Sequence, residues 1–179
     1  MKMLNKRAQF ALAAAAGTIV AVLGPAQSAS AAIPTQNADS NCDYRSCPVG
    51  HGGQFHLHYN SKENDGYYSG TASFYGNVTN YAGETYGHNG GANPVHYKFV
   101  FGKNPSGQNG PGTGLAVKNN AASAENCSPW DAYRVYFNSG YQGSSQYFNH
   151  TNGSILCAGG VHVNLNATLK NNNASQHFA

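Results

Sequence analysis

Two asparagine-rich loops contain the residues whose types and spacing best suit ligand binding. The segment 118–123 (Lys-Asn-Asn-Ala-Ala-Ser) recurs as 170–175 (Lys-Asn-Asn-Asn-Ala-Ser). Calcium accepts amide and hydroxyl oxygens, although carboxylates usually supply much of its affinity. Asn and Ser side chains also commonly bond their own backbone and close a loop. The repeat therefore predicts two equivalent loops, with calcium binding and loop closure as alternative roles for Asn119, Asn120, Ser123, Asn171, Asn172 and Ser175.

A second candidate site is the histidine pair in the segment 55–59 (Phe-His-Leu-His-Tyr). His56 and His58 are two residues apart, so on a strand they project from one face and could bind a transition metal. The sequence identifies no third ligand, although His51, His88 and His96 lie in nearby segments. The competing interpretation is a solvent-exposed histidine face opposite a buried apolar face, which is the pattern of a half-buried strand.

Groups suited to catalysis are scarce. The chain has seven carboxylates, mostly in segments predicted to be turns. Glu63 and Asp65 share one such turn, which is too local for the opposed pair that a glycosidase requires. The chain also lacks a Gly-x-Ser-x-Gly elbow and a His-Glu-x-x-His helix. We therefore expect no enzymatic activity, and the lack of a basic patch argues against nucleic-acid binding.

Short runs of aromatic and β-branched residues must position these groups. Gly, Asn or Pro interrupts every window of about ten residues, which disfavours helices. Strand-length runs bounded by turn residues lie at 54–59, 66–75, 96–101, 115–118, 132–137, 144–148 and 161–165. The segment 76–114 is low in core residues, and its part 104–112, rich in Gly, Asn and Pro, is predicted to be a mobile loop.

The first 32 residues are predicted to be a cleaved signal peptide. Lys2, Lys6 and Arg7 precede an apolar run at 10–23, and Ala-Ser-Ala follows at 29–31. The run is shorter than the ~20 residues that span a bilayer, so we expect secretion and no membrane anchor. The whole chain has ten Lys and Arg residues against seven Asp and Glu residues. Removing Lys2, Lys6 and Arg7 leaves seven cationic and seven anionic residues, a formal net charge of zero. Recognition must then depend on amides, tyrosines and loop shape.

Secretion makes disulfides the expected state of the four cysteines, Cys42, Cys47, Cys127 and Cys157. Three connectivities are possible, and pairing of sequence neighbours is the simplest. The first pair lies in a polar segment, 33–54, that we expect to be an N-terminal extension.

The repeat includes residues upstream of the loops. Tyr136, Tyr141 and Gly143 are spaced as Tyr59, Asn64 and Gly66 are. In these residues the chain resembles the βγ-crystallin superfamily, whose microbial members bind calcium at the motif (Asn/Asp)-(Asn/Asp)-x-x-(Ser/Thr)-Ser. Both loops match five positions and depart at the sixth, with Ala124 and Gln176.

The resemblance implies an all-β, disulfide-stapled sandwich of two Greek-key motifs. Motif 1 spans about 55–126, with an insertion at about 76–114, and motif 2 spans about 127–179, so that the domain is 55–179. The insertion is either a passive loop or a recognition loop.

More narrowly, the cysteine-bearing N-terminus, the His-Leu-His-Tyr-Asn-Ser strand and the Lys-Asn-Asn-x-Ala-Ser loop resemble secreted actinobacterial proteins of peptidase inhibitor family I36. This resemblance implies a monomeric inhibitor of an extracellular metalloprotease that requires no cofactor. The alternatives are a calcium-binding structural or cell-surface module, or an antimicrobial toxin on the same fold.

Overall fold

Ten short strands supply most of the regular structure in the computed structural model, which describes residues 32–48, 54–150 and 162–179. The expectation of an all-β chain is confirmed. Within these ranges no helix is long and apolar enough to cross a membrane. The 3₁₀ helices are Asn41–Asp43, Lys62–Asn64, Gly66–Tyr68 and Asn89–Gly91. The strands are β1 (Thr35–Ala38), β2 (Phe55–His58), β3 (Thr71–Phe74), β4 (Glu84–His88), β5 (Asn93–Phe99), β6 (Ser123–Asn126), β7 (Tyr133–Asn138), β8 (Gln142–Phe148), β9 (His162–Asn164) and β10 (Ser175–Phe178).

The strands form three sheets. The first sheet has the antiparallel order β3-β2-β6-β9, and the second has the antiparallel order β10-β7-β8. Val78 extends the second sheet beyond β10, because its backbone exchanges two hydrogen bonds of 2.9 Å with Gln176. Each of these two sheets thus contains strands from one half of the chain and one segment from the other half. That segment is β9 in the first sheet and the Val78 segment in the second.

Side chains from all three sheets make the core, and many of them are aromatic. Phe55 and Leu57 of β2 are fully buried, as are Tyr133 and Val135 of β7. The Phe55 ring stacks on Tyr133 at 4.8 Å and meets Phe148 edge-on at 5.2 Å. Each such side chain contributes roughly 1.5–3 kcal/mol by burial, which is why a chain so poor in charge can fold around short strands.

The expectation that the histidine face of β2 is exposed to solvent is wrong. β2 is an inner strand of its sheet, and His58 is as fully buried as Leu57, while His56 is half-buried. A strand buried on both faces need not alternate between apolar and exposed residues. The polar residues of β2 therefore lie inside the protein, where their hydrogen bonds must be satisfied.

The segment 76–114, expected to be an insertion, contains two strands. These strands, β4 and β5, form the third sheet with β1 in the order β1-β5-β4, with β1 parallel to β5. Val78, Tyr81, Phe99 and Phe101 of this segment are fully buried, so the expectation that it is low in core residues is wrong. The part 104–112 contains no strand, as predicted.

Other expectations differ in detail. The segment 115–118 is a turn region with a single bridge, between Val100 and Ala116. The strands β1, β4, β6 and β10 have no counterpart among the predicted runs, because their residues are mostly polar and form strands by pairing with neighbouring strands.

The local cysteine pair forms the disulfide Cys42–Cys47. Cys127 is also in a disulfide, and its expected partner Cys157 lies outside the described residues. The expected signal peptide, apart from Ala32, lies outside them as well.

Candidate functional site

The two asparagine-rich loops lie against each other. Each immediately precedes the last strand of its half, the first before β6 and the second before β10. Asn119 and Asn171 adopt left-handed backbone conformations, with φ of 62° and 57°, which Asn tolerates better than most residues. The Asn119 N–H donates to the carbonyl of Asn173 (2.8 Å), and the Asn171 N–H donates to the carbonyl of Ala121 (2.9 Å). The structure thus joins the repeated loops by reciprocal hydrogen bonds.

The two serines of the repeat have the same role in each half. The hydroxyl of Ser123 donates to the carbonyl of Asn60, and that of Ser175 donates to the carbonyl of Asn138, both at 2.6 Å. Each hydroxyl also accepts a hydrogen bond, Ser123 from the His162 ring (2.7 Å) and Ser175 from the Tyr141 N–H (3.1 Å). These bonds link each serine to a distant segment of the chain, whereas the local loop bonds come from asparagine side-chain amides. The Asn120 amide donates to the carbonyls of Ala116 and Lys118, and the Asn172 amide donates to the carbonyl of Lys170.

Two pockets, of about 150 Å³ and about 310 Å³, open beside the joined loops. The first is lined by Asn119 and Asn172, and the second by Asn120 and Asn171, so each pocket receives one asparagine from each loop. The chain turn after β7 completes the first pocket. The turn after β2 completes the second. The four predicted asparagines are therefore brought together in pairs that the linear sequence does not show.

A lysine lines each pocket. The Lys118 ammonium donates to the Ser139 hydroxyl at 3.0 Å in the first pocket, and Lys170 lines the second. The other polar lining groups are amides, hydroxyls and backbone, with no carboxylate among the described lining residues. Calcium prefers six to eight oxygens with substantial negative charge, so this donor set does not fit calcium. It suits a polar, uncharged or anionic group.

Glu63 and Asp65 belong to the predicted turn after β2, which also contributes lining residues to the second pocket. The side-chain amide of Asn164 donates to both carboxylate oxygens of Glu63, at 2.8 and 2.6 Å. This hydrogen bonding lowers the pKa of Glu63 below its usual value. Glu63 therefore links the turn to β9. Asp65, two residues later, has a left-handed backbone conformation (φ 55°) in the same turn.

The other predicted ligands are divided between two sheets. His56 and His58 lie in the first sheet, and the candidate third ligands His88 and His96 lie in or beside the third, where they contact Tyr97 and Thr85. His51 lies outside the described residues. Burial lowers the pKa of His58 to about 4, so its ring is neutral at physiological pH.

A braced surface loop follows β5. The Asn104 side-chain oxygen accepts hydrogen bonds from the N–H groups of Ser106 and Gln108, both at 3.0 Å, and its amide group donates to the carbonyl of Tyr68 (3.1 Å). The Asn104 N–H also donates to the carbonyl of Gln108 at 2.8 Å. Asn104 is only 6% exposed, whereas residues 105–109 are all exposed. One buried side chain therefore holds the shape of an exposed pentapeptide.

Comparisons with protein-family models, with curated proteins and with solved structures find no match for this chain.

The sequence alone did not indicate Asn104 or Glu125 as important residues. Asn104 precedes Pro105, a pairing typical of turn initiation, and that was the available signal. Glu125 is one of the seven carboxylates, most of which were expected in turns, but it lies in β6, fully buried. Its register opposite His56 of β2 had no signal in the sequence.

Proposed function

We propose that this chain is a secreted binding protein with a βγ-crystallin-type domain, and that it inhibits an extracellular peptidase. The strand order supports the first part. In each half the last strand lies beside the first, β6 beside β2 and β10 beside β7, while a third segment crosses to the other sheet. A fourth strand that returns beside the first defines a Greek key. Two such motifs that exchange one strand make a single sandwich.

The braced loop 103–110 is the observation that supports inhibition. A peptidase inhibitor presents an exposed segment whose shape is already fixed, because ordering a flexible loop on binding costs affinity. The buried Asn104 side chain fixes the exposed residues 105–109 from inside the loop. The loop is then a recognition element, anchored to the carbonyl of Tyr68 by the Asn104 side chain.

Binding without catalysis also accords with the use of the carboxylates. Glu63 is bonded to Asn164, and Glu84 accepts a hydrogen bond from the Tyr44 hydroxyl at 2.7 Å and lies 3.4 Å from Arg45. These acids are occupied by structural contacts that stabilise the fold. We propose that the mature protein acts by shape and hydrogen bonding at its loops.

The test is titration of the purified protein against thermolysin with a peptide substrate. We expect inhibition at micromolar protein or below. Asn104→Ala should weaken it at least about tenfold, since about 1.4 kcal/mol of lost loop order is a factor of ten. The matched control is Asn172→Ala, an exposed asparagine in the second repeated loop. The wild type leaving thermolysin fully active would contradict the proposal.

A further inference from the structure

A cluster of polar side chains lies on the face of the first sheet opposite to Phe55 and Leu57. Because side chains alternate along a strand, His56 and His58 of β2 share this face. In the antiparallel register His56 is directly opposite Glu125 of β6, and Glu125 is opposite His162 of β9. One potential ligand atom from each of His56, His58 and Glu125 lies within 4.8 Å of the other two. His58 and Glu125 are fully buried.

The hydrogen bonds around His58 determine which of its nitrogens carries the proton. The Thr71 hydroxyl donates its only hydrogen to the carbonyl of Ser69 (3.2 Å). With the Thr71 hydroxyl donating to Ser69, the 3.0 Å contact between Thr71 and His58 Nδ1 has Nδ1–H as its donor. In the neutral ring Nε2 then presents a lone pair, and the Glu125 carboxylate lies 3.7 Å from it.

Two electron-pair donors thus face each other in a buried site. The separation of 3.7 Å is longer than a hydrogen bond, so a shared proton fits it poorly. A zinc ion with bonds of about 2.0–2.1 Å separates its ligands by about 3.3 Å at a tetrahedral angle and by about 3.7 Å at an angle near 130°. The spacing between His58 and Glu125 matches that of two ligands of one ion.

We propose that His56, His58 and Glu125 form a binding site for a divalent transition-metal ion of the zinc class. Two imidazoles and one carboxylate are a ligand set that zinc accepts. The Thr71 hydroxyl orients the His58 ring through its second nitrogen, as partners of ligating histidines commonly do. Ligand atoms as far apart as 4.8 Å must approach by about an ångström when the ion binds, and half-buried His56 is the member with access to solvent.

The ion has a structural role in this position. His58 and Glu125 are inaccessible to a substrate, and the three ligands come from the two inner strands of one sheet. An ion here links β2 to β6 and offsets the cost of burying the Glu125 carboxylate. The braced loop 103–110 contributes no ligand, so zinc binding and peptidase inhibition are separate properties.

The experiment measures zinc uptake by the purified, chelator-treated full chain, with competition against a chromophoric chelator. We expect one equivalent of zinc, and a visible absorption spectrum of low coordination number when cobalt(II) replaces it. At a free zinc concentration 100 times the dissociation constant, the folding equilibrium constant should rise about 100-fold. Glu125→Gln, which preserves the side-chain shape, should weaken zinc at least about 100-fold, and Thr71→Val about 10- to 100-fold.

His96→Gln is the matched control, because His96 contacts Thr85 in the third sheet. It should bind zinc as the wild type does. If Glu125→Gln fails to fold, His56→Asn at the half-buried position replaces it, with the same expected loss. A wild type that takes up no zinc at micromolar free ion overturns the proposal, as does a folded Glu125→Gln or His56→Asn protein with wild-type affinity. Inhibition of thermolysin should be unchanged by Glu125→Gln.

Discussion

The backbone N–H of Asn119 donates to the carbonyl of Asn173 across 2.8 Å, and this bond joins the two halves of the chain. The return bond runs from Asn171 to Ala121, so the repeated loops are joined in both directions. Each donor has a left-handed backbone, which turns its N–H toward the other loop. The repeated loops therefore join the two halves of the chain through backbone hydrogen bonds.

The first prediction concerns the buried asparagine of these joined loops. The Asn173 side-chain amide donates to the carbonyls of Ala121 (2.8 Å) and Leu169 (3.1 Å) and is fully buried. Asn173→Ala should lower the free energy of unfolding by about 2–3 kcal/mol, because two buried hydrogen bonds are lost. Urea unfolding measures the change. The neighbouring Asn172→Ala should cost less than about 0.5 kcal/mol, since Asn172 is exposed. Equal losses of unfolding free energy in the two variants would show that the Asn173 side chain does not stabilise the contact between the two loops.

The second prediction compares two glycines with left-handed backbones. A Cβ at Gly112 (φ 86°) would lie 2.1 Å from the ring of Tyr59, whereas a Cβ at Gly107 (φ 76°) would meet nothing within 4 Å. Gly107→Ala should therefore cost only the backbone term, about 1–2 kcal/mol. Gly112→Ala should cost at least about 3 kcal/mol, because the loop must also move away from Tyr59. Thermal unfolding of the two variants provides the comparison, and a smaller loss for Gly112→Ala would show that this loop is not packed as described.

The third prediction is a loss of stability at alkaline pH. Burial raises the pKa values of Tyr44, Tyr81 and Tyr133 well above the usual value near 10, and the Glu84 contact contributes for Tyr44. Above pH 10 the unfolded chain releases these protons while the folded chain retains them. Stability should therefore be unaffected by these groups below about pH 10 and fall by about 1.4 kcal/mol per tyrosine per pH unit above it. Urea unfolding at about pH 9 and about pH 11, with tyrosinate absorbance, measures this. Full tyrosinate absorbance in a folded chain would contradict it.

The fourth prediction concerns Tyr44, which lies inside the disulfide loop Cys42–Cys47. Its ring stacks on Tyr97 with centroids 3.7 Å apart, and its hydroxyl donates to Glu84 at 2.7 Å. Tyr44→Phe removes only the hydrogen bond to the carboxylate and should cost about 1.5–3 kcal/mol. Tyr44→Ala also removes the ring and should cost more, about 3–5 kcal/mol. If denaturant unfolding gives equal values, the stacked ring does not stabilise the third sheet.

The fifth prediction is that calcium has no effect on stability. The pockets at the joined loops contain Lys118 and Lys170 and no carboxylate among their described lining residues. Millimolar calcium should leave the melting temperature unchanged, because an ion that does not bind the folded state cannot stabilise it. Differential scanning calorimetry with calcium and with chelator tests this. A rise specific to calcium would restore the calcium interpretation of the repeat.

Local pattern in the sequence was sufficient for several features. Strand-length runs containing aromatic residues and bounded by turn residues predicted β2, β7 and β8. In β2 the alternation of apolar residues also predicted which face meets the core. The Cys42–Cys47 bridge followed from short separation, and the repeat at 118–123 and 170–175 predicted two equivalent loops. These features depend on neighbours along the chain.

Tertiary structure alone decided how distant segments meet. The polar segments of β1, β4, β6 and β10 become strands only by pairing, and buried Tyr81 of the segment 76–114 donates its hydroxyl hydrogen to Gln176, 95 residues away. Glu125 is 69 residues from His56, yet the register of β2 and β6 places them opposite each other. Such cross-strand neighbours arise from the pairing of whole strands, and local propensity contains no information about the pairing partner.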